Sequence, residues 1–215
     1  MNTLSIVIAI LPLALYFIAL SAMNSGRRSR LVTGQRDLTA LALGMIGFVM
    51  IGPVMLFLPV DALGFWKIRM WPMIAVLYSL LVIILSAMFP PRLVIYNTTP
   101  EKIRLVLETA ALLLGQEFQW LGNSFALPEL KIQLYLESSV LLRNVSLIAT
   151  GTGQDIQNWG RLEKTLLTVL AGEQTSPTWV WLVMLGIGLG IGLTALTLLC
   201  LDSRTVLVAI QDFLS

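Results

Sequence analysis

The chain predicts an α+β membrane protein: four transmembrane α-helices, with a small two-layer β-α-β-β-β-α domain inserted between helices 3 and 4. Three observations predict it. Hydrophobic residues make up 57% of the 215 and charged residues only 12%, about half the charged share of a soluble domain. The apolar residues gather in runs long enough to cross about 30 Å of hydrocarbon. Between the last two runs, from Arg92 to Gly172, the pattern becomes that of a folded polar domain, and half of the basic residues fall there.

Composition also narrows the chemistry. The formal net charge of +2 is small and dispersed, so no nucleic-acid footprint is expected. There is no histidine, which removes imidazole acid–base catalysis, the Ser-His-Asp triad and His-ligated zinc or haem. Cys200 is the single cysteine, so no intrachain disulfide can form.

Residues 1–91 are expected to hold three spans. The first, about 4–22, carries no charge. A cleaved signal peptide ending near Ser21-Ala22-Met23 is the rival reading. No basic residue precedes the run, however, and Arg27, Arg28, Arg30 and Arg36 follow it. The second, about 38–59, has Asp37 or Thr39 available to cap its start. Gly44 and Gly47 are expected to let a neighbouring helix approach, and Gly52-Pro53 to bend the span. Residues 60–71 are expected to form a connector, with Trp66 and Trp71 as interfacial anchors beside Lys67 and Arg69. The third span, about 72–89, stops at Pro90-Pro91.

Residues 92–172 read as the α+β domain. Arg92–Tyr96 is a strand. Thr99 as N-cap and Pro100 at the first position start an amphipathic helix whose face to be buried carries Ile103, Val106, Leu107, Ala110, Leu113 and Leu114, and Gly115 closes it. Gly122-Asn123 is a hairpin turn. Leu130 to Glu137 alternates as a half-buried antiparallel strand, and a further strand runs to Ala149. A last helix from Asp155 buries Ile156, Trp159, Leu162, Leu166, Val169 and Leu170, and stops at Gly172. Both helices should lie on one face of the sheet.

Within 173–201 the fourth span, about 178–201, enters the membrane behind Trp179 and Trp181. Gly186, Gly188, Gly190 and Gly192 mark it for close helix packing, intrachain first and self-association second. The tail, 202–215, can form an amphipathic helix lying in the interface.

The four arginines of the first loop place that loop in the cytoplasm. Both termini then lie outside and the 92–172 domain is cytoplasmic, in what we expect to be a bacterial cytoplasmic membrane. No Asp, Glu, Lys or Arg lies within any expected span, which argues against proton relays and ion-coupled transport. Gly151-Thr152-Gly153 precedes a helix but has no nearby lysine, and Asp155 would repel an anion, so it reads as a turn. Arg104 and Glu108 read as a surface pair, and Trp120 and Tyr135 as sheet-face packing. No catalytic residue, metal ligand or cofactor is expected.

The function expected is therefore non-catalytic: an accessory, scaffold or assembly subunit whose cytoplasmic domain docks a partner. Membrane lipid, other membrane-protein subunits and a second copy of the chain are the expected contacts. A small transporter or channel for a neutral or apolar solute is the alternative.

Overall fold

The computed structural model describes residues 3–57, 60–139, 143–151, 156–175 and 179–201; the side chains of 53–70 and 156 fall outside that description. In chain order the elements are α1 (Thr3–Asn24), β1 (Arg30–Thr33), α2 (Gly34–Phe57), α3 (Val60–Met88), β2 (Arg92–Tyr96), α4 (Pro100–Leu113), β3 (Gln119–Leu121), β4 (Ser124–Leu127), β5 (Ile132–Ser139), β6 (Asn144–Ala149), α5 (Ile156–Gly172) and α6 (Val180–Leu201). They form two compact units, and the chain passes between them at Leu20, Leu38, Met88 and Val183.

The first unit gathers the apolar helices. Among the described residues three helices are long and apolar enough to cross a membrane: Thr3–Asn24, Trp71–Met88 and Val180–Leu201. Residues 60–71, expected as a connector, are helical and open α3. Pro72 looked like a start signal, yet a proline inside a helix forfeits one hydrogen bond and the chain before it stays helical. α2 likewise begins at Gly34 rather than Leu38, and it continues as helix through Gly52-Pro53.

Glycines set the approach of the backbones here. A Cβ at Gly47 would overlap the carbonyl oxygen of Ile8 and lie 2.6 Å from that of Ala9. At Gly44 it would lie 2.8 Å from the Tyr16 Cβ. At Gly188 it would meet Ala14 O at 3.0 Å and Ile18 Cγ1 at 2.8 Å. α1 is thus the helix against which both α2 and α6 pack. The Tyr78 hydroxyl donates to Ala42 O at 2.8 Å, joining α3 to α2.

The second unit is a six-stranded antiparallel sheet of order β1-β2-β6-β5-β4-β3. α4 and α5 cover one face over a continuous core that includes Leu93, Ile103, Leu107, Phe125, Leu134, Leu147, Leu162 and Leu166. Within 92–172 the order is β-α-β-β-β-β-α, one strand more than β-α-β-β-β-α, because the two-residue turn at Gly122-Asn123 gives each hairpin arm its own place in the sheet. Gly122 takes φ +64°, which a first central turn residue of this kind requires. β5 starts two residues later than expected. Pro128 to Lys131 closes a turn, with Lys131 N donating to Pro128 O at 3.1 Å.

α4 follows its sequence signals except at Leu113, expected on the buried face but exposed: the covered arc runs through Val106, Leu107, Ala110 and Ala111, and at 100° per residue Leu113 lies at its edge. Thr99 is its N-cap residue, with Pro100 in the first turn. At the other end Gly115 N donates to Leu112 O and Gln116 N to Ala111 O, both at 3.0 Å, with Gly115 at φ +67°. That is the paired Schellman closure.

The sixth strand is β1, and it comes from the short stretch between α1 and α2. Its register runs from Arg30 opposite Tyr96 to Thr33 opposite Leu93. A second tie follows, where Arg28 bridges Gln174 and Thr175 N donates to Arg27 O at 2.8 Å. The sheet is therefore assembled from segments far apart in the chain.

Candidate functional site

The corner of the sheet where β1 meets β2 carries the densest polar chemistry in the described residues. On β2, Leu93 and Ile95 face the core, so alternation turns Arg92, Val94 and Tyr96 to the opposite face. The first turn of α2 lies over them. Asp37 accepts a hydrogen bond from the Tyr96 hydroxyl and pairs with Arg92 Nη2 at 3.2 Å. A Cβ at Gly34 would overlap the Arg92 side chain, so glycine is what lets the turn sit so close. Asp37 or Thr39 was expected to cap α2; with the helix starting at Gly34 both lie inside it, and Asp37, in the first turn, binds the sheet instead.

Beside this corner lies a buried polar knot. Asn97, fully buried and at φ +56°, donates from Nδ2 to Gly26 O at 2.6 Å. Ser29 Oγ donates to Asn97 O at 3.2 Å and lies 3.3 Å from Thr175 Oγ1. Ser21 Oγ donates to Trp181 O at 2.8 Å. Segments distant in the chain are thereby held by part-buried side-chain bonds, each of which counts for more than one at the open surface.

The second feature is the outer surface of α4. Arg104 and Glu108, expected as a pair, do not pair with each other. Arg104 Nη2 donates to Gly122 O and Asn123 Oδ1, both at 3.0 Å, and its guanidinium lies 4.8 Å from the Trp120 ring centroid. Glu108 Oε1 accepts from Trp120 Nε1 at 2.9 Å. The two side chains clamp the β3–β4 hairpin to the helix, with Trp120 tilted against Phe125 at 4.8 Å. A shallow groove lined by Pro100, Glu101, Arg104, Leu105, Glu108 and Asn123 runs along the clamp. At its end the Glu101 carboxyl is held below the usual carboxylate range by hydrogen bonds from its own backbone N–H and from Thr99.

Next to that groove α4 turns three leucines outward. Leu105, Leu112 and Leu113 are 64%, 71% and 66% exposed, although the opposite face of the same helix is fully buried. This exceeds what a scattered surface leucine requires and forms the apolar part of the candidate site.

The residues singled out from sequence fall in several places. Gly44, Gly47 and Gly188 stand at helix contacts within the first unit, whereas Gly186, Gly190 and Gly192 have nothing within 4 Å. Arg27, Arg28, Arg30 and Arg36 are all exposed around β1. Trp179 is exposed at the start of α6, Trp181 half-buried, and Trp71 half-buried within α3. Trp66 has its side chain outside the described residues, as do Gly153, Asp155 and the 202–215 tail altogether. Asp37, Asn97 and Arg104 gained roles that spacing did not suggest. Their partners are distant in sequence, and the turn signal at Gly122-Asn123 was the only hint for Arg104.

The arrangement can hold segments together and present an apolar surface. Among the described residues no three His, Cys, Asp or Glu side chains gather closely enough to hold a metal ion. No protein-family model, curated protein or solved structure matches the chain.

Proposed function

We propose that this is a four-span membrane protein with a cytoplasmic α+β domain, acting without catalysis as an accessory, scaffold or assembly subunit that docks another protein. α2 is the span that joins the three helices already long and apolar enough to cross. The argument is one of parity: β1 and β2 pair in one sheet, so the chain between them must leave and return to the same side. If α3 crosses, α2 crosses too. The four arginines around β1 put that side in the cytoplasm, and 92–172 with it.

The observation that carries the docking role is the outward leucine face of α4 beside its polar groove. Changing Leu105 and Leu112 to glutamate is expected to lower the amount of co-purifying partner at least tenfold, with the far-ultraviolet circular dichroism of the protein unchanged. The measurement is a native purification in mild detergent with quantified stoichiometry. A clean monomer with no stoichiometric partner in the unmutated protein sinks the proposal.

Assembly within the membrane has its own support. Met184, Gly188 and Ala195 form the buried side of α6. At 100° per residue Gly186 and Gly190 lie roughly 160–200° away from Gly188, on the far side. Gly190→Leu is therefore expected to leave the monomer's melting temperature within about 2 °C, because nothing stands within 4 Å of that glycine. It should weaken self-association or subunit binding, read by cross-linking in the membrane. Gly188→Leu should instead destabilise the monomer.

A further inference from the structure

The arginines around β1 have a second property that orientation alone does not use: they are exposed and lack acidic counterparts. Arg27, Arg28, Arg30 and Arg36 make no ion pair or side-chain hydrogen bond among the described residues. The nearest carboxylate in sequence, Asp37, is taken by Arg92 and the Tyr96 hydroxyl. β1 also fixes where one of the cations lies. Leu31 packs on the core, so Arg30 belongs to the opposite face, where it stands opposite Tyr96 in the register. Arg36 sits in the first turn of α2 beside Asp37. The corner thus carries Arg30, Arg36 and Arg92 around one carboxylate, with Arg27 and Arg28 just upstream.

We propose that this corner is a binding site for the phosphates of anionic phospholipid headgroups, a reading that rests on α1 and α2 being spans. Covalent reach sets the depth. Arg27 follows the end of α1 at Asn24 by three residues, at most about 10 Å of extended chain. The headgroup layer is about 5–8 Å thick on each side of the hydrocarbon, and electrostatic attraction reaches about 8 Å further at physiological salt. Arg30 lies four residues before the start of α2, and Arg36 within it. A guanidinium held there meets phosphate oxygens, which it can take two at a time through its planar fork. Folding into the sheet holds Arg30 in place, so less side-chain and backbone freedom is lost when a headgroup binds than for a loose basic loop.

The test uses the full-length protein in nanodiscs made of phosphatidylcholine with about one fifth phosphatidylglycerol, a composition in which anionic lipid is plentiful on both faces. Lipid retained after detergent release is counted by native mass spectrometry. Unmutated protein is expected to retain phosphatidylglycerol over phosphatidylcholine about tenfold beyond their input ratio. R30Q/R36Q should cut that preference at least about fivefold, on the scale of attraction expected for cations at a charged membrane surface. R30K/R36K should keep most of it, and R161Q/K164Q on α5 should keep all of it. Equal retention of the two lipids by the unmutated protein, or an unchanged preference in R30Q/R36Q, overturns the proposal. So does the finding that an acidic protein, rather than lipid, leaves with the arginines. Extraction of the native protein from membranes by alkaline carbonate would instead overturn the membrane reading, which separates the two failures.

Discussion

Phe125→Ala is expected to unfold the polar domain at or near physiological temperature. The ring is fully buried at the centre of β4, stacked on Phe118 at 5.7 Å and against Trp120 at 4.8 Å. Truncating such a side chain costs about 3–5 kcal/mol, from lost transfer energy and the cavity left behind. A domain of this size has a total stability of only about 5–15 kcal/mol. Trp120 also loses the surface that holds it between Arg104 and Glu108, so the hairpin clamp loosens with the core. Urea denaturation followed by tryptophan emission should show the midpoint fall, with no cooperative transition left in the severest case. Tyr135→Ala on the other face of the same sheet provides the contrast. Its ring is 42% exposed, and its loss should cost about 1 kcal/mol or less. A Phe125→Ala protein as stable as the unmutated one would mean the packing described for β4 is wrong.

The second large effect is expected in the helical unit. Gly47→Leu drives a branched side chain into the carbonyl oxygens of Ile8 and Ala9, which are backbone and cannot rotate away. α1 and α2 must then separate or tilt, losing the contact at Gly44 as well. Overpacking in a well-filled interior costs about 1–3 kcal/mol where some relaxation is possible; a backbone clash allows little, so the upper end or beyond is expected. Thermal unfolding in detergent, read by size-exclusion fluorescence, should show a melting temperature lowered by several degrees and a growing aggregate peak. Gly52→Leu, on the same helix with nothing within 4 Å, should behave like the unmutated protein. Equal behaviour of the two variants would refute the α1–α2 contact.

Much of this architecture was legible in the sequence because its signals were local. The caps of α4, the turn at Gly122-Asn123, the alternation of β5 and the apolar stripe of α5 each depend on residues within one or two turns of each other. What was not legible depended on distance. β1 has only four residues and sits among four arginines, so Arg30–Thr33 read as a charged loop; it becomes a strand because β2 offers it an unpaired edge. The start of α3 was misplaced since Pro72 marks a start in one context and is tolerated inside a helix in another. Spacing divides the glycines of α6 into two pairs on different sides of the helix, Gly186/Gly190 and Gly188/Gly192, and the position of α1 decides which side is enclosed. Gly188 is enclosed while Gly186 and Gly190 are open, a difference that spacing alone does not contain. In the candidate site, spacing put Leu113 on the stripe of α4 to be buried, yet it lies at the edge of the covered arc and is exposed, as are Leu105 and Leu112 on the outer face.

The pairing of β1 with β2 also sets an order of events during synthesis. At about 5–20 residues per second, the strand beginning at Arg30 waits several seconds, while α2 and α3 are made, before Tyr96 emerges to meet it. Until then it is a short unpaired strand, and the rest of the domain has yet to be translated. A fragment beginning at Arg92 would never receive it, and its β2 would remain an open edge for another chain to occupy. The two helices between the strands are therefore a step in folding the sheet: the domain closes only after α2 and α3 have been made.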